Sequence, residues 1–281
     1  MKYIFYNPSS HNGKNRDKID ELKHKLQEDV EMINVLEDDL YESKLKSLTE
    51  DDEVFLVGGD GTLNHFINKI NGKKPSYNVY FYSSGTGNDF YNDIKDKASD
   101  ELVLINEYLE NLPTVIVNDK KYYFIDGIGY GIDGYCCERG DILQQRTNEP
   151  VNYTKIAIKG LLFHYKPPKA KVIVDGVEKN YKKVWLAPTM KGRFYGGGMM
   201  VAPNQNRMDI EHKVSTVVLY GSSKIKTLIV FPSIFKGEHI KHKKMVEVIE
   251  GHHIIVEFSK PQALQIDGET ISNVLKYEVI A

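Results

Sequence analysis

The sequence predicts an α/β domain built on a doubly wound parallel sheet, followed by a mainly antiparallel β domain. Three observations predict this. Apolar strands alternate with helix-period segments up to about residue 110. Beyond that point hairpin signals take over, such as Asn118-Asp119 and Asp175-Gly176. Three strands of the first half run into loops made of glycine and small polar residues.

The elements follow in order. KYIFY (2–6) reads as the first strand, stopped by Asn7-Pro8-Ser9-Ser10. A helix is expected over about 15–28, with Ile19, Leu22 and Leu26 at helical spacing. VEMINVL (30–36) and DEVFLVG (52–58) are the next strands. The second of these is nearly all apolar, as a strand covered on both faces should be. A helix opening at Thr62 places Leu63, Phe66, Ile67 and Ile70 on one side. NVYFY (78–82) closes the series.

Pro113 stands at the change of texture, and the boundary is set there: domain one is 1–112, domain two 113–281. Residues 114–126 and 169–183 read as hairpins, and HKVSTVVLY, MVEVIEGHHIIVEF and QALQIDGET as further strands. Helical segments are expected at about 133–146 and 153–165.

Composition narrows the function classes. The 281 residues are 41% hydrophobic and 27% charged, which suits an ordinary globular protein. A formal net charge of -2 supplies no global basic field for nucleic acid. The two cysteines, Cys136 and Cys137, are adjacent, so a disulfide framework is excluded and reduced thiols of a cytoplasmic protein are expected. The apolar run at the N-terminus is too short for a signal peptide, and no stretch approaches the roughly 20 apolar residues of a transmembrane segment.

The three loops share one design. They are Asn7 to His11, Gly58-Gly59-Asp60-Gly61-Thr62, and Ser84-Gly85-Thr86-Gly87-Asn88-Asp89. In an open parallel sheet, loops at strand C-termini gather at one rim, where ligands bind. Glycine lets backbone N–H groups approach phosphate oxygens, and a helix start adds its dipole. Asp60 would repel a bare phosphate, so its presence suggests a bridging Mg²⁺ or an orienting role. No G-x-x-x-x-G-K-[ST] is present, and no G-x-G-x-x-G opens a helix after the first strand.

These residues carry a resemblance. GGDGT (58–62) resembles the signature shared by NAD kinases, phosphofructokinase-like enzymes and the diacylglycerol/sphingosine/ceramide kinase superfamily. SGTGNDF (84–90) narrows it to bacterial diacylglycerol kinase-type lipid kinases. YNPSS, GYGIDG (129–134), GGGMMVAPN (196–204) and QIDGE (265–269) are similar to further family motifs in the same order, over residues 6–269. The resemblance implies an ATP- and Mg²⁺-dependent kinase that phosphorylates the hydroxyl of diacylglycerol or a similar lipid. It implies an α/β ATP-binding domain, a β-sandwich lipid domain and a cleft between them. Asn7, Pro8, Ser9, Ser10, His11, Gly58, Gly59, Asp60, Gly61, Thr62, Asn64, His65, Gly85, Thr86, Asn88 and Asp89 would then line the nucleotide. Asp60 and Asp89 would organise Mg²⁺ and the phosphates, and Asp267, with Glu269 beside it, would be the catalytic base. Read locally, Asp267-Gly268 is an ordinary turn.

Departures from the family pattern bear on function. His65 stands where the family has Glu, and His11 where it has Gly. The family loop that holds a structural Mg²⁺ is replaced by NQNRMDIEHKVS, whose only nearby carboxylates are Asp209 and Glu211. His252 and His253 lack zinc-ligand spacing. Arg193 is a candidate phosphate donor.

A lipid kinase meets its substrate at a membrane surface, so peripheral association is expected. YTKIAIKGLLFHYKPPK (153–169) puts Ile158, Leu161, Leu162 and Tyr165 on one helical face, with Lys155, Lys159 and Lys166 elsewhere, as an interfacial helix or one packed on the sheet would. KGEHIKHKKM (236–245) is a basic run suited to anionic headgroups or to a solvated loop. A homodimer joined at sheet edges is a further expectation. The competing functions are an NAD kinase-like enzyme acting on a soluble acceptor and a non-catalytic nucleotide or lipid sensor.

Overall fold

In a computed structural model, the described residues are 1–8, 15–27, 29–85, 87–97, 101–146 and 151–281. The chain divides into two compact units, Met1–Leu112 and Pro113–Ala281.

The first unit alternates strand and helix: β1 (Lys2–Tyr6), α1 (Asn15–Leu26), β2 (Val30–Asn34), α2 (Asp38–Ser47), β3 (Glu53–Gly58), α3 (Asp60–Lys69), β4 (Asn78–Ser83), α4 (Asp89–Ile94) and β5 (Leu102–Leu104). The sheet order is β2-β1-β3-β4-β5. The first four strands are parallel, and β5 lies antiparallel on the edge. Central position explains the apolar runs: in β3 every residue after Glu53 is buried. Alternate side chains of the strands meet different helices. Ile4, Phe55 and Val57 pack with Ile19 and Leu22 of α1, whereas Phe5 meets Tyr41 of α2 edge-on, with ring centroids 5.3 Å apart. The sheet is thus doubly wound, as expected. α2 is absent from the sequence reading because its DDLYESKLKS is weakly apolar and buries only Tyr41.

The second unit comprises β6 (Thr114–Val117), β7 (Lys120–Tyr123), β8 (Gly127–Tyr130), α5 (Ile132–Gln144), α6 (Tyr153–Lys159), β9 (Ala170–Val174), β10 (Val177–Tyr181), β11 (Thr189–Met190), β12 (Phe194–Tyr195), β13 (Met199–Met200), β14 (Val214–Leu219), α7 (Lys224–Val230), β15 (Val246–Gly251), β16 (His253–Ile266) and β17 (Glu269–Ile280). A π-helical segment, Gly160–His164, extends α6, and 3₁₀ turns over 231–241 follow α7. Ten strands form one antiparallel sheet. Its spine is the 14-residue β16. The first half of β16 pairs with β9, the second half with β8, and β17 runs along its other edge. The register shifts around Pro261, which has no N–H to give a ladder. Both hairpin signals form tight turns, with positive φ at Asn118 and Asp119 and at Asp175 and Gly176. QALQIDGET is not a separate strand. Its first half ends β16 and its last residues begin β17, so the Asp267-Gly268 turn joins two long strands.

The segment expected as either an interfacial or a packed helix divides between the two. Leu161 and Tyr165 are buried in the core of this unit, while Ile158 faces solvent. In the basic run, His239 is fully buried and its Nε2 donates to the Val201 carbonyl at 3.0 Å.

Candidate active site

The parallel strands β1, β3 and β4 bring their C-terminal ends to one rim of the first sheet. The strand order reverses at β1, which lies between β2 and β3, and open α/β sheets bind ligands at such a switch point. Asn7 and Pro8 follow β1, Gly59 and Asp60 follow β3, and Ser84 and Gly85 follow β4. Ser9, Ser10, His11 and Thr86 lie outside the described residues.

Glycine is required here by contact. A Cβ on Gly85 would lie 2.6 Å from the Gly59 Cα, so the two loops touch backbone to backbone. A Cβ on Gly58 would lie 2.4 Å from the Thr62 Cβ, because buried Thr62 folds back over the strand end. Helix α3 begins at Asp60, two residues before the sequence reading placed it, with extended Gly59 as its cap. The Asp60 carboxylate then reaches the other loop. It accepts the backbone N–H of Asp89 (2.9 Å) and of Phe90 (3.2 Å), so it caps α4 from a different element. Asn88 turns into that helix through a left-handed φ of 51°. The buried Ser83 Oγ, Ser84 Oγ and Asn88 Oδ1 find no partner among the described residues. Buried polar atoms are ordinarily paired, so these mark a place prepared for ligand or water.

Two predicted residues are engaged elsewhere. Asn64 accepts the Asn68 amide through both its carbonyl (2.9 Å) and its side-chain oxygen (3.2 Å). His65 stacks on Tyr41, with ring centroids 5.5 Å apart and planes 16° apart. Burial lowers its pKa, and the cation of Lys69 adds to this. The histidine in place of the family's Glu thus serves the packing of α3 on α2.

In the second unit, Asp267 and Gly268 form the β16–β17 turn, with φ of 45° and 98°. The buried Asp267 carboxylate accepts three consecutive backbone N–H groups, from Ile125 (2.8 Å), Asp126 (3.0 Å) and Gly127 (2.8 Å). Those donors orient it rigidly, far more than a surface D-G turn requires. Glu269 follows, exposed as a residue but with its carboxyl partly desolvated by the groups packed around it. Its pKa is raised by burial of the carboxyl, then by the like charges of Asp141 and Asp267.

The segment that holds Asp267 is itself held. Arg207 donates from Nη2 to the Asp126 carboxylate at 2.6 Å and from Nη1 to the Ile125 carbonyl at 2.5 Å. The Asp126 carbonyl accepts the N–H groups of Lys191 and Gly192, both at 2.9 Å. Asp126, Lys191 and Arg207 are all buried. Burial lowers the pKa of Lys191, and nearby Arg207 lowers it further. The sequence offered no signal for this trio, because ion pairs across 81 residues follow no local period.

Arg207 lies in the loop that replaces the family's Mg²⁺ loop and offers only Asp209 and Glu211 as candidate ligands. Those carboxylates instead meet Lys213, Asp209 through the backbone N–H and Glu211 through the ammonium group. Among the described residues, no three His, Cys, Asp or Glu side chains group to hold a metal on protein ligands alone. A Mg²⁺ bound largely by phosphate oxygens needs only one or two carboxylates. Asp60 and Asp89 at the rim fit that smaller demand. Arg193 lies over the Phe194 ring at 5.3 Å.

The GYGIDG segment places a buried carboxyl at the start of α5. Burial raises the pKa of Asp133 to about 6. Gly129 makes room for it, since a Cβ there would lie 1.8 Å from Asp133 Oδ2.

Comparison with known proteins covers both units. Residues 2–113 match the diacylglycerol kinase catalytic domain. Residues 127–279 match the YegS C-terminal NAD kinase beta sandwich-like domain. The chain is 25% identical over 198 residues to a diacylglycerol kinase of Mycobacterium tuberculosis H37Rv, covering 68% of this chain and 62% of that protein. It is 24% identical over 185 residues to YtlR of Bacillus subtilis 168, covering 59% and 56%. The match thus spans less than two thirds of the length of these curated relatives. A solved diacylglycerol kinase from Bacillus anthracis Sterne aligns over the whole chain and 93% of its own, with a TM-score of 0.62 at 15% identity. A second structure from that organism gives 0.70, with 91% coverage and 14% identity. At such identities the likeness is one of fold.

Proposed function

The chain belongs to the bacterial diacylglycerol kinase-type lipid kinase family, and from that premise we propose that it transfers the γ-phosphate of ATP to the hydroxyl of diacylglycerol or a similar lipid. The product is a phosphatidate-type lipid. The first unit binds the nucleotide and the second binds the lipid, which is met at a membrane surface by peripheral contact. The observation that carries the reading is the rim where Gly59 and Gly85 touch and Asp60 bridges the two loops.

Phosphoryl transfer depends on positioning and charge neutralisation more than on covalent chemistry by the protein. Backbone N–H groups of the glycine loops and the start of α3 orient phosphate oxygens. Asp60 keeps the two loops in register, and with Asp89 it would hold Mg²⁺, which supplies charge neutralisation when bound with ATP. Asp267, oriented by its three N–H donors, takes the hydroxyl proton.

The test is Mg²⁺-dependent ADP release with diacylglycerol in mixed micelles. Asp60→Ala and Asp267→Ala should each lower turnover by at least about 100-fold. Wild-type rates in both variants would overturn the site. Turnover with NAD and none across a lipid panel would overturn the substrate class.

A further inference from the structure

The outer surface of the second unit carries a feature the reaction does not use. Residues 151–169 and 221–237 contain seven lysines and no aspartate or glutamate, in a chain whose net charge is -2. The fold brings these segments together. Lys224 Nζ donates to the Leu162 carbonyl at 2.9 Å. Beneath them Leu161, Tyr165, Val230 and Ile234 share one core.

Above that core the outward side chains are apolar. Phe163 and Ile225 are each 70% exposed and Ile229 is 73% exposed, with Ile158 and Phe235 beside them in sequence at 42% and 44%. On α7, Ile225 and Ile229 lie four residues apart on the face opposite buried Thr227 and Val230. A solvated helix carries polar residues there. Lys155, Lys159, Lys224 and Lys226 are exposed around these side chains. Single exposed apolar residues are ordinary, but a cluster of large ones within an all-lysine fringe marks a binding face.

We propose that this face docks on an anionic phospholipid bilayer, with the isoleucines and phenylalanines entering the headgroup boundary and the lysines meeting lipid phosphates. Charge decides the occupant. A second copy of the same face would set lysine against lysine. The nearest carboxylate along the chain, Glu238, is already paired with Lys241. The need for such a face follows from the lipid kinase reading, whereas its chemistry stands on these residues alone.

The test is vesicle sedimentation without nucleotide. Vesicles are phosphatidylcholine alone, or phosphatidylcholine mixed with phosphatidylglycerol. Binding should favour the anionic vesicles and weaken with salt. Each Lys→Gln change at 155, 159, 224 or 226 should weaken it about fivefold. Ile225→Ser with Ile229→Ser should weaken it about tenfold or more, while leaving turnover of a soluble short-chain diacylglycerol unchanged. Ile225→Trp supplies a direct reporter, because the sole tryptophan, Trp185, is buried. Its emission should shift to the blue on anionic vesicles. Equal binding to both vesicle types, or binding indifferent to these substitutions, overturns the assignment. So does failure to bind either vesicle, which would leave the face to an acidic protein. Vesicle binding with no kinase activity on any lipid would refute the enzymatic reading and spare this one.

Discussion

Replacing Arg207 by methionine tests the support beneath Asp267. The side chain is of similar length, so little space is emptied. The change removes two charge-assisted hydrogen bonds, to Asp126 at 2.6 Å and to the Ile125 carbonyl at 2.5 Å. The Asp126 carboxylate, whose residue is only 1% exposed, would lose its guanidinium. Removing one partner of a buried pair destabilises by about 3–5 kcal/mol, because the other charge stays desolvated. Lys191 softens the loss. Arg207 holds its pKa down, so with Arg207 gone its ammonium becomes easier to keep. The expected loss is therefore near the lower end, about 3 kcal/mol. Adding Asp126→Asn should recover part of it, since the carboxylate left without its guanidinium is then gone, and the cycle should show a coupling of at least about 1 kcal/mol. Arg207→Lys should rescue incompletely, because an ammonium lacks the fork that reaches both acceptors. The assay is urea unfolding followed by the emission of Trp185, which reports on this unit. Chelation should leave the midpoint of the nucleotide-free protein unchanged, as a guanidinium already supplies the local cation. A loss below about 1 kcal/mol, or strict additivity of the two substitutions, would refute the reasoning.

Three further outcomes are expected. Gly85→Ala drives a Cβ to 2.6 Å from the Gly59 Cα, and backbone cannot step aside as a side chain can. It should cost about 1–3 kcal/mol in unfolding free energy and weaken ATP binding by titration calorimetry. Asp133 and His239 should oppose each other in acid. Asp133 titrates at about 6 when folded against 3.8 when unfolded, so the folded state holds the extra proton and stability from this group falls as pH rises through that window. His239 titrates at about 4 against 6.5, so the unfolded state holds the extra proton and stability falls as pH drops through its window. Between pH 4 and 7 the stability of Asp133→Asn relative to the parent should therefore climb by about 2 kcal/mol, and a difference independent of pH would contradict this. Asp119→Gly in the β6–β7 turn, where φ is 62°, should stabilise by up to about 1 kcal/mol in thermal unfolding, because relief of the left-handed backbone outweighs the added freedom of the unfolded chain.

Local pattern made much of this molecule legible. The parallel strands could be read because a strand covered on both faces has no polar period, and the hairpins because Asn118-Asp119 and Asp175-Gly176 favour left-handed backbone. α7 escaped because its outward face is as apolar as its inward one, so no amphipathic period marks it. The long β16 was read as two strands, because Pro261 looks like an end and is a register shift. In the motifs, the glycines were legible as points of close approach, but not what they approach.

By itself, then, the sequence determined the two-part architecture, the small-residue loops that follow β1, β3 and β4, and the family. These rest on periods and motifs a few residues long. Only the tertiary structure decided the use of each charged group. It turned Asp60 toward the start of α4, placed His65 against Tyr41, and set Arg207 against Asp126. It also joined residues 151–169 to 221–237 into one lysine-fringed apolar face. Hydrogen bonds and ion pairs act over about 3 Å in space, and the chain separation of their partners leaves no trace in local spacing.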